Sequence, residues 1–298
     1  MSRFPVLHSA VTIMTPLLWA ATGGLFTELS GMLNIALEGM LLSGAFAALA
    51  AVYYTGSVAA GLAAAAAASL ALAFLLAFTT LKLRSNVFIT GLAANLFASG
   101  TTVVLSHRFF GTRGVAALRD GVGLPPVEIP FIGDMPVLGD LFSGHSVYVY
   151  AGWFFLFTAW LVLYRTPFGY RLRACGKYSA ALASLGIRPD TYRFTAFLIS
   201  GFCCGIGGSF LSLNLGAFVP GMSAGKGWTA LVIIFLGGRR PQGLLAAALV
   251  FGFADAFSNY AQGIFDIPAD FILAIPHMFA LLVMIGVSVY EKRKGEVA

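Results

Sequence analysis

The sequence predicts an all-α membrane protein in which about nine helices cross the bilayer. Hydrophobic residues make up 59% of its 298 residues and charged residues only 10%, whereas a soluble domain carries about 25% charged residues. The chain also contains 35 glycines, and small residues let transmembrane helices pack closely. A water-soluble fold of this size could not bury so much apolar surface, so lipid is the solvent for most of the chain.

Long apolar stretches define the predicted spans, because about 20 mostly apolar residues are needed to cross the hydrocarbon core as a helix. The first stretch runs into Thr27-Glu28 without a small-residue cleavage site, so we interpret it as an uncleaved helix. The stretch at Trp228 is too short to cross alone, which favours a broken or re-entrant helix. The nine predicted spans are 10–26, 33–54, 58–81, 87–105, 147–164, 194–215, 228–236, 244–260 and 271–290.

The loops predict the orientation. Loops 82–86, 165–193 and 238–242, together with the tail from Glu291, hold most of the 18 Lys and Arg residues. Because basic loops stay inside, these loops and the C-terminus are predicted to be cytoplasmic. The formal charge of +6 is spread over short loops and follows no polar face, so it indicates membrane orientation and no nucleic-acid partner.

Two long connections interrupt what we interpret as one transmembrane domain, 1–298. Residues 106–146 are rich in Gly and Pro and are predicted to form an external loop with little regular structure. The cytoplasmic loop 165–193 instead contains signals for a helix. Thr166 is a candidate N-cap with Pro167 at the first helical position.

The same cytoplasmic loop predicts a second short helix. Gly176 ends the first helix, and the second extends from Ser179 as its cap to Gly186 as its stop. Its small, apolar interior contains Ala180 and Ala181, and such a surface in a cytoplasmic loop predicts a protein partner. The alternative is a helix that lies on the bilayer interface.

The sequence contains no motif for nucleotide binding or hydrolysis. Gly225-Lys226 has Pro220 in place of the first glycine of a phosphate loop and Gly227 in place of Ser or Thr. The four histidines are dispersed, and the three cysteines show neither metal-ligand nor disulfide spacing. We therefore expect no cofactor, no metal and no catalytic residue in this chain.

Polar residues inside the apolar stretches are the candidate solute-binding groups. An ionisable group costs a few kcal/mol at the bilayer centre, so it usually faces a cavity or a partner. Carboxylates and amides can bind the hydroxyl groups of an uncharged solute, and aromatic rings can stack on a flat one. The candidates for the solute path are Asn34, Glu38, Asn95, Phe97, Trp228, Asp255 and Asn259.

Each of these residues also has a structural interpretation. Glu38 lies near the start of the second span, where a carboxylate can accept hydrogen bonds from backbone N–H groups of a helix start. Asp255 could form a hydrogen bond between helices, and Asn95 could hold two helices together.

Several blocks of the sequence together resemble the permease subunits of bacterial ABC importers for simple sugars and nucleosides. They lie at 29–40, 166–187, 222–228, 237, 243 and 251–256, and include Gly31-Met32-Leu33-Asn34 and Glu38-Gly39-Met40. The resemblance extends over most of the chain, from about residue 23 to 260. It implies the permease subunit of an ATP-driven importer that moves nucleosides or related sugar-like solutes across the inner membrane.

The resemblance also implies partners. These are ATPase subunits that bind ATP and Mg, a second homologous permease in a heterodimer, an external solute-binding lipoprotein, the small-molecule solute and membrane lipid. The family docks a cytoplasmic coupling loop onto the ATPase, and this loop often has Asn-Pro-Glu before Ala-Ala, where this chain has Tyr178-Ser179. The matching residues are Pro167, Gly169, Arg173, Gly176, Ala180, Ala181 and Gly186.

We expect the two halves to be inverted repeats in which 31–40 and 225–237 are broken elements that face the cavity. Movement of the coupling loop would drive alternating access. One rival function is a proton-coupled secondary transporter in which Glu38 or Asp255 carries the proton. Another is a membrane assembly protein that transports nothing. Genes for an ATPase and a solute-binding lipoprotein beside this gene would favour the importer.

Overall fold

The structure is a computed structural model that describes residues 5–118, 124–129, 138–262, 278 and 285–286. Within these residues, seven helices are long and apolar enough to cross a membrane, and the stretch at Trp228 forms a shorter apolar helix. The predicted all-α membrane fold is confirmed. The last predicted span, 271–290, lies almost entirely outside the described residues, as does the C-terminus. The count of nine spans and the inverted repeat therefore stay predictions.

The elements follow one another with short connections except around the loop after the fourth helix. The helix α3 continues as a π-helical turn over Phe78–Lys82, and the four strands form two antiparallel pairs, β1 with β4 and β2 with β3. The elements are α1 (Pro5–Leu29), α2 (Leu37–Thr55), α3 (Val58–Ala77), α4 (Val87–Phe110), β1 (Ala116–Ala117), β2 (Pro126–Val127), α5 (Leu138–Phe142), β3 (His145–Ser146), α6 (Val147–Arg165), α7 (Pro167–Lys177), α8 (Ser179–Ser184), α9 (Pro189–Leu215), β4 (Ala217–Phe218), α10 (Lys226–Leu236) and α11 (Pro241–Gln262).

Contacts between connecting segments define two ends of the bundle. At the loop end, β1 after α4 pairs with β4 after α9, and His8 near the start of α1 stacks on His145. At the coupling end, Gly31 lies against Gly176 at the end of α7. The predicted external loop and the predicted cytoplasmic loop therefore lie at opposite ends, as α6 between them requires.

Helices α1 and α9 form the centre of the bundle and are largely buried, whereas α4 is mostly exposed. Small residues allow the close packing. A Cβ added to Gly205 would lie 2.8 Å from the carbonyl oxygen of Ala65 on α3, and one added to Gly201 would lie 2.4 Å from Cβ of Ala73. The glycine spacing on α9 therefore has a packing role, as small residues do between transmembrane helices.

The break before α2 is longer than the sequence indicates. The predicted span begins at residue 33, but α2 begins at Leu37 and residues 30–36 are not helical. The side-chain oxygen of Asn34 accepts a hydrogen bond from the backbone N–H of Ala36 at 3.0 Å. This local bond competes with helix formation and delays the start of α2.

The helix signals of the predicted cytoplasmic loop are partly confirmed. Thr166 caps α7 by accepting a hydrogen bond from the N–H of Gly169 at 3.3 Å, and Pro167 is the first helical residue. The capping role predicted for Ser179 is wrong, because Ser179 is already inside α8. A single residue, Tyr178, joins the two helices, so Ser179 has no extended position from which to cap.

Candidate functional site

The start of α10 is held by the carboxylate of Glu38. Gly227 is buried there, and the first N–H groups of a helix need acceptors that a helix does not supply itself. One oxygen of Glu38 accepts from the N–H of Gly225 at 2.9 Å and the other from the N–H of Gly227 at 2.7 Å. The partial positive charge at a helix start further favours a carboxylate. The structural interpretation of Glu38 thus has a basis, but the carboxylate caps α10 and not its own helix.

The glycines on either side of Lys226 make this contact possible. Gly225 has a φ of +82°, in the left-handed region that favours glycine. A Cβ on Gly227 would lie 2.3 Å from the backbone nitrogen of Glu38. The two helix starts therefore touch backbone to backbone, which only a residue without a side chain permits.

Two asparagines hold the non-helical segment before α2. Asn95 on α4 accepts from the N–H of Gly39 at 2.8 Å and donates to the carbonyl of Ile35 at 2.9 Å. Asn34 is fully buried and donates to the hydroxyl of Ser200 on α9 at 2.8 Å. The two bonds of Asn95 satisfy backbone groups at membrane depth, where water is absent. A direct contact of either asparagine with solute stays a prediction.

Asp255 and Asn259 on α11 line a cavity together with Lys226, and its wall combines polar and apolar side chains. The cavity has a volume of about 250 Å³ and lies between α1, α9, α10 and α11. Thr12 and Asn214 also line it, and these two residues and Lys226 are not among the candidates predicted from the sequence. The one feature of the sequence that could have indicated these three residues is that each is polar and lies at or near the end of an apolar stretch. The structure thus places three of the predicted residues around the start of α10. Glu38 binds the backbone of Gly225 and Gly227. Asp255 and Asn259 line the cavity that Lys226 also lines.

A second cavity, of about 380 Å³, lies next to the first on the side of the loop end, and Thr12 and Asn214 line both. His8 and His145 lie on its wall, with ring centroids 4.2 Å apart. Burial, and then the neighbouring His8, lower the pKa of His145 to about 4. His145 is therefore uncharged at neutral pH and adds no positive charge to the wall of this cavity.

The two predicted aromatic residues do not line the cavity at Asp255. Phe97 on α4 is 60% exposed and Trp228 on α10 is 42% exposed. Neither borders the cavities described above. Their stacking on solute stays a prediction, and the described residues give it no geometry.

At the coupling end, α7 packs directly on the segment between α1 and α2. A Cβ on Gly176 would lie 2.4 Å from the carbonyl oxygen of Leu29 and 3.0 Å from the nitrogen of Gly31. Nearby, the carboxylate of Glu28 pairs with the guanidinium of Arg239 at 2.9 Å, just after α10. Residues 28–38, which we call the bridging segment, therefore contact α7 and both ends of α10.

The other predicted coupling residues shape α7 and α8. A Cβ on Gly169 would lie 2.2 Å from the carbonyl oxygen of Val162, so α7 folds tightly against the end of α6. The guanidinium carbon of Arg173 lies 4.5 Å from the ring centroid of Tyr164. Ala180 and Ala181 are exposed on α8, and Gly186 ends this region with a φ of +75°.

Comparison with known proteins identifies the family of this chain. A family model described as the permease component of branched-chain amino acid transport systems matches residues 6–288. The guanosine ABC transporter permease protein NupQ of Bacillus subtilis is 31% identical, over 94% of this chain and 91% of NupQ. The nucleoside ABC transporter permease protein NupC of Lactococcus lactis is 30% identical, over 97% of this chain and 95% of NupC.

Two further similarities are informative. TsgC13 of Haloferax volcanii, whose name assigns it provisionally to glucose transport, is 31% identical over 87% of this chain and 78% of TsgC13. A solved inward-facing ABC transporter of metal-chelate type has a TM-score of 0.50 at 16% identity, covering 95% of this chain and 85% of the other. The second likeness concerns the fold alone. The chain belongs to the family of ABC-transporter permease components, which are multi-pass membrane subunits that translocate solute and leave ATP hydrolysis to separate subunits.

Proposed function

We propose that this permease moves nucleosides inward across the plasma membrane, past the start of α10. The observation that carries the proposal is the position of Glu38, whose carboxylate holds that start beside the cavity of Lys226, Asp255 and Asn259. Support for the solute class comes from NupQ and NupC, whose names assign them to guanosine and nucleosides. The same comparisons give no support to proton-coupled transport.

The cavity offers the chemistry that a nucleoside needs. Ribose hydroxyls both donate and accept hydrogen bonds, and Asp255, Asn259 and Asn214 supply carboxylate and amide partners. Lys226 adds donors near the ribose or the base carbonyls. A positively charged group and a carboxylate in one small space also balance each other, which suits an uncharged solute better than an anion or a cation.

The bridging segment offers a route by which ATP hydrolysis could move the site. As an ABC permease, this subunit works with ATPase subunits and a solute-binding partner. We infer that the ATPase docks on α8 through Ala180 and Ala181, which are exposed. A displacement of α7 would press on Leu29 and Gly31, and the bridging segment would transmit it to α10. We also propose that this subunit pairs with a second, homologous permease to form a heterodimer.

Labelling of one cysteine tests both the path and the orientation. Asn259→Cys should react with a membrane-impermeant maleimide added outside, lose nucleoside uptake, and react more slowly when guanosine is present. The three native cysteines are buried and should add little background. The assay uses the assembled transporter in intact cells.

Two matched cysteines make the result specific. Val115→Cys is at the loop end, away from the cavity and 59% exposed, so it should be labelled without loss of uptake. Tyr178→Cys is at the coupling end and 68% exposed, and it should stay unlabelled from outside. Labelling of Asn259→Cys with full uptake and no protection by guanosine would remove this cavity from the path. Labelling of Tyr178→Cys would reverse the orientation.

A further inference from the structure

A third cavity, at the coupling end, has four basic residues on its wall. Its volume is about 840 Å³, and it opens between α6, α7, the end of α1 and the turn from α10 to α11. Among the described residues on its wall, Glu28 is the one acid, and this carboxylate already pairs with the guanidinium of Arg239 at 2.9 Å. The other basic residues on the wall are Arg173, Lys177 and Arg240.

Contacts within the chain hold two of these arginines in place without a ligand, Arg239 through Glu28 and Arg173 through two tyrosine rings. Arg173 stacks between Tyr164 and Tyr170, with its guanidinium carbon 4.5 and 5.1 Å from the two ring centroids. Its Nε is buried and has no hydrogen-bond partner among the described residues. A buried donor on a charged group is unfavourable unless something accepts from it.

The turn beside the cavity is also unusual. Arg239 has a φ of +57°, which is strained for a residue with a side chain. Helix α11 begins immediately afterwards, and its first residues, Pro241 and Gln242, line the cavity. The first turn of this 22-residue helix contains no acid. Its partial positive charge therefore adds to that of the arginines, the combination that binds phosphate groups.

We propose that this cavity binds a phosphate-bearing anion with an attached organic group. Guanidinium groups match the geometry of phosphate oxygens and bind them with two hydrogen bonds. Trp160 and Tyr164 on the same wall supply aromatic surface for the organic part. The volume falls within the range of about 300–1,000 Å³ that small-molecule sites occupy.

Two sources can supply such a ligand. One is the headgroup of an anionic lipid, because basic pockets between transmembrane helices on the cytoplasmic side bind such headgroups. The other is a soluble nucleotide, whose base could stack on Trp160 or Tyr164. The cavity wall includes Glu28 and Gly31 of the bridging segment, so a ligand here would contact the elements that join α7 to α10.

The test uses the assembled transporter in nanodiscs and the double variant Lys177→Gln/Arg240→Gln. Both residues are exposed, so the fold should be retained. Lys82→Gln/Arg188→Gln removes the same charge from exposed positions outside the cavity and is the matched control. One arm measures equilibrium binding of radiolabelled uridine monophosphate in phosphatidylcholine nanodiscs. The other counts phosphatidylglycerol molecules retained from mixed nanodiscs by native mass spectrometry.

The cavity variant should weaken binding by about tenfold or more in at least one arm, since each lost charged hydrogen bond has an effect of that order. The control should bind like the unmodified transporter. The arm that responds identifies the source of the phosphate. Equal binding by the cavity variant and the control in both arms would overturn the proposal. Because both arms measure binding, the result does not depend on the solute that is transported.

Discussion

Replacing Glu38 by alanine is expected to reduce nucleoside uptake per assembled transporter by about tenfold or more. The substitution leaves the N–H groups of Gly225 and Gly227 without acceptors and separates α10 from the bridging segment. A hydrogen bond to a charged group contributes about 1.5–3 kcal/mol, and Glu38 accepts two. Glu38→Gln keeps one acceptor oxygen but turns an NH₂ group toward the second N–H, so its uptake should be intermediate.

The measurement is initial uptake divided by the amount of permease that co-purifies with the ATPase. Asp190→Ala is the control, because the ion pair of this carboxylate with Arg193, at 3.5 Å, is exposed, and such pairs contribute little. It should transport normally. If Glu38→Ala lowers the amount of complex but leaves the normalised uptake unchanged, Glu38 serves assembly alone and has no part in transport.

Gly227→Ala should destabilise the permease by about 1–3 kcal/mol, the usual effect of overpacking a tight contact. Its Cβ would lie 2.3 Å from the nitrogen and 2.5 Å from the Cα of Glu38, and backbone atoms cannot move aside as a flexible side chain can. Gly100→Ala on α4 is the matched control, since its Cβ meets nothing within 4 Å. Alanine is the better helix former by up to about 1 kcal/mol, so the control should be neutral or stabilising.

Thermal unfolding of the two purified variants decides the question. The midpoint should fall for Gly227→Ala and stay or rise for Gly100→Ala. Similar midpoints would mean that α10 does not touch α2 as described, and the capping role of Glu38 would lose its geometric basis.

The sequence predicts the helices well because hydropathy acts locally, along each stretch of chain. Seven of the nine predicted spans correspond to long apolar helices, and the short one at Trp228 was expected to be broken. The start of α2 was misplaced because apolar character continues through residues 33–36 while Asn34 diverts the backbone. Hydropathy does not register such a hydrogen bond.

The candidate site was only partly predictable, since its contacts join distant parts of the chain. A carboxylate at Glu38 suggests a helix start, but not that its partners, Gly225 and Gly227, come 187 and 189 residues later. Lys226 precedes a short apolar stretch, and only the structure shows that it lines the same cavity as Asp255. The burial of such side chains and their hydrogen-bond partners depend on how distant helices pack together. The residues on either side of a position in the sequence do not reveal this packing.

We expect this permease to import nucleosides only when a partner hydrolyses ATP. The most direct test reconstitutes the permease, with its partner permease, ATPase and solute-binding protein, in proteoliposomes and measures guanosine uptake with and without ATP. A variant with Ala181→Glu places a charge in the expected docking surface, and a buried unpaired charge is strongly unfavourable, while Ala181→Ser is the mild control. We predict uptake that requires ATP, resists a protonophore, and is lost in Ala181→Glu but kept in Ala181→Ser. Guanosine uptake that proceeds without ATP and collapses with the protonophore would contradict the account.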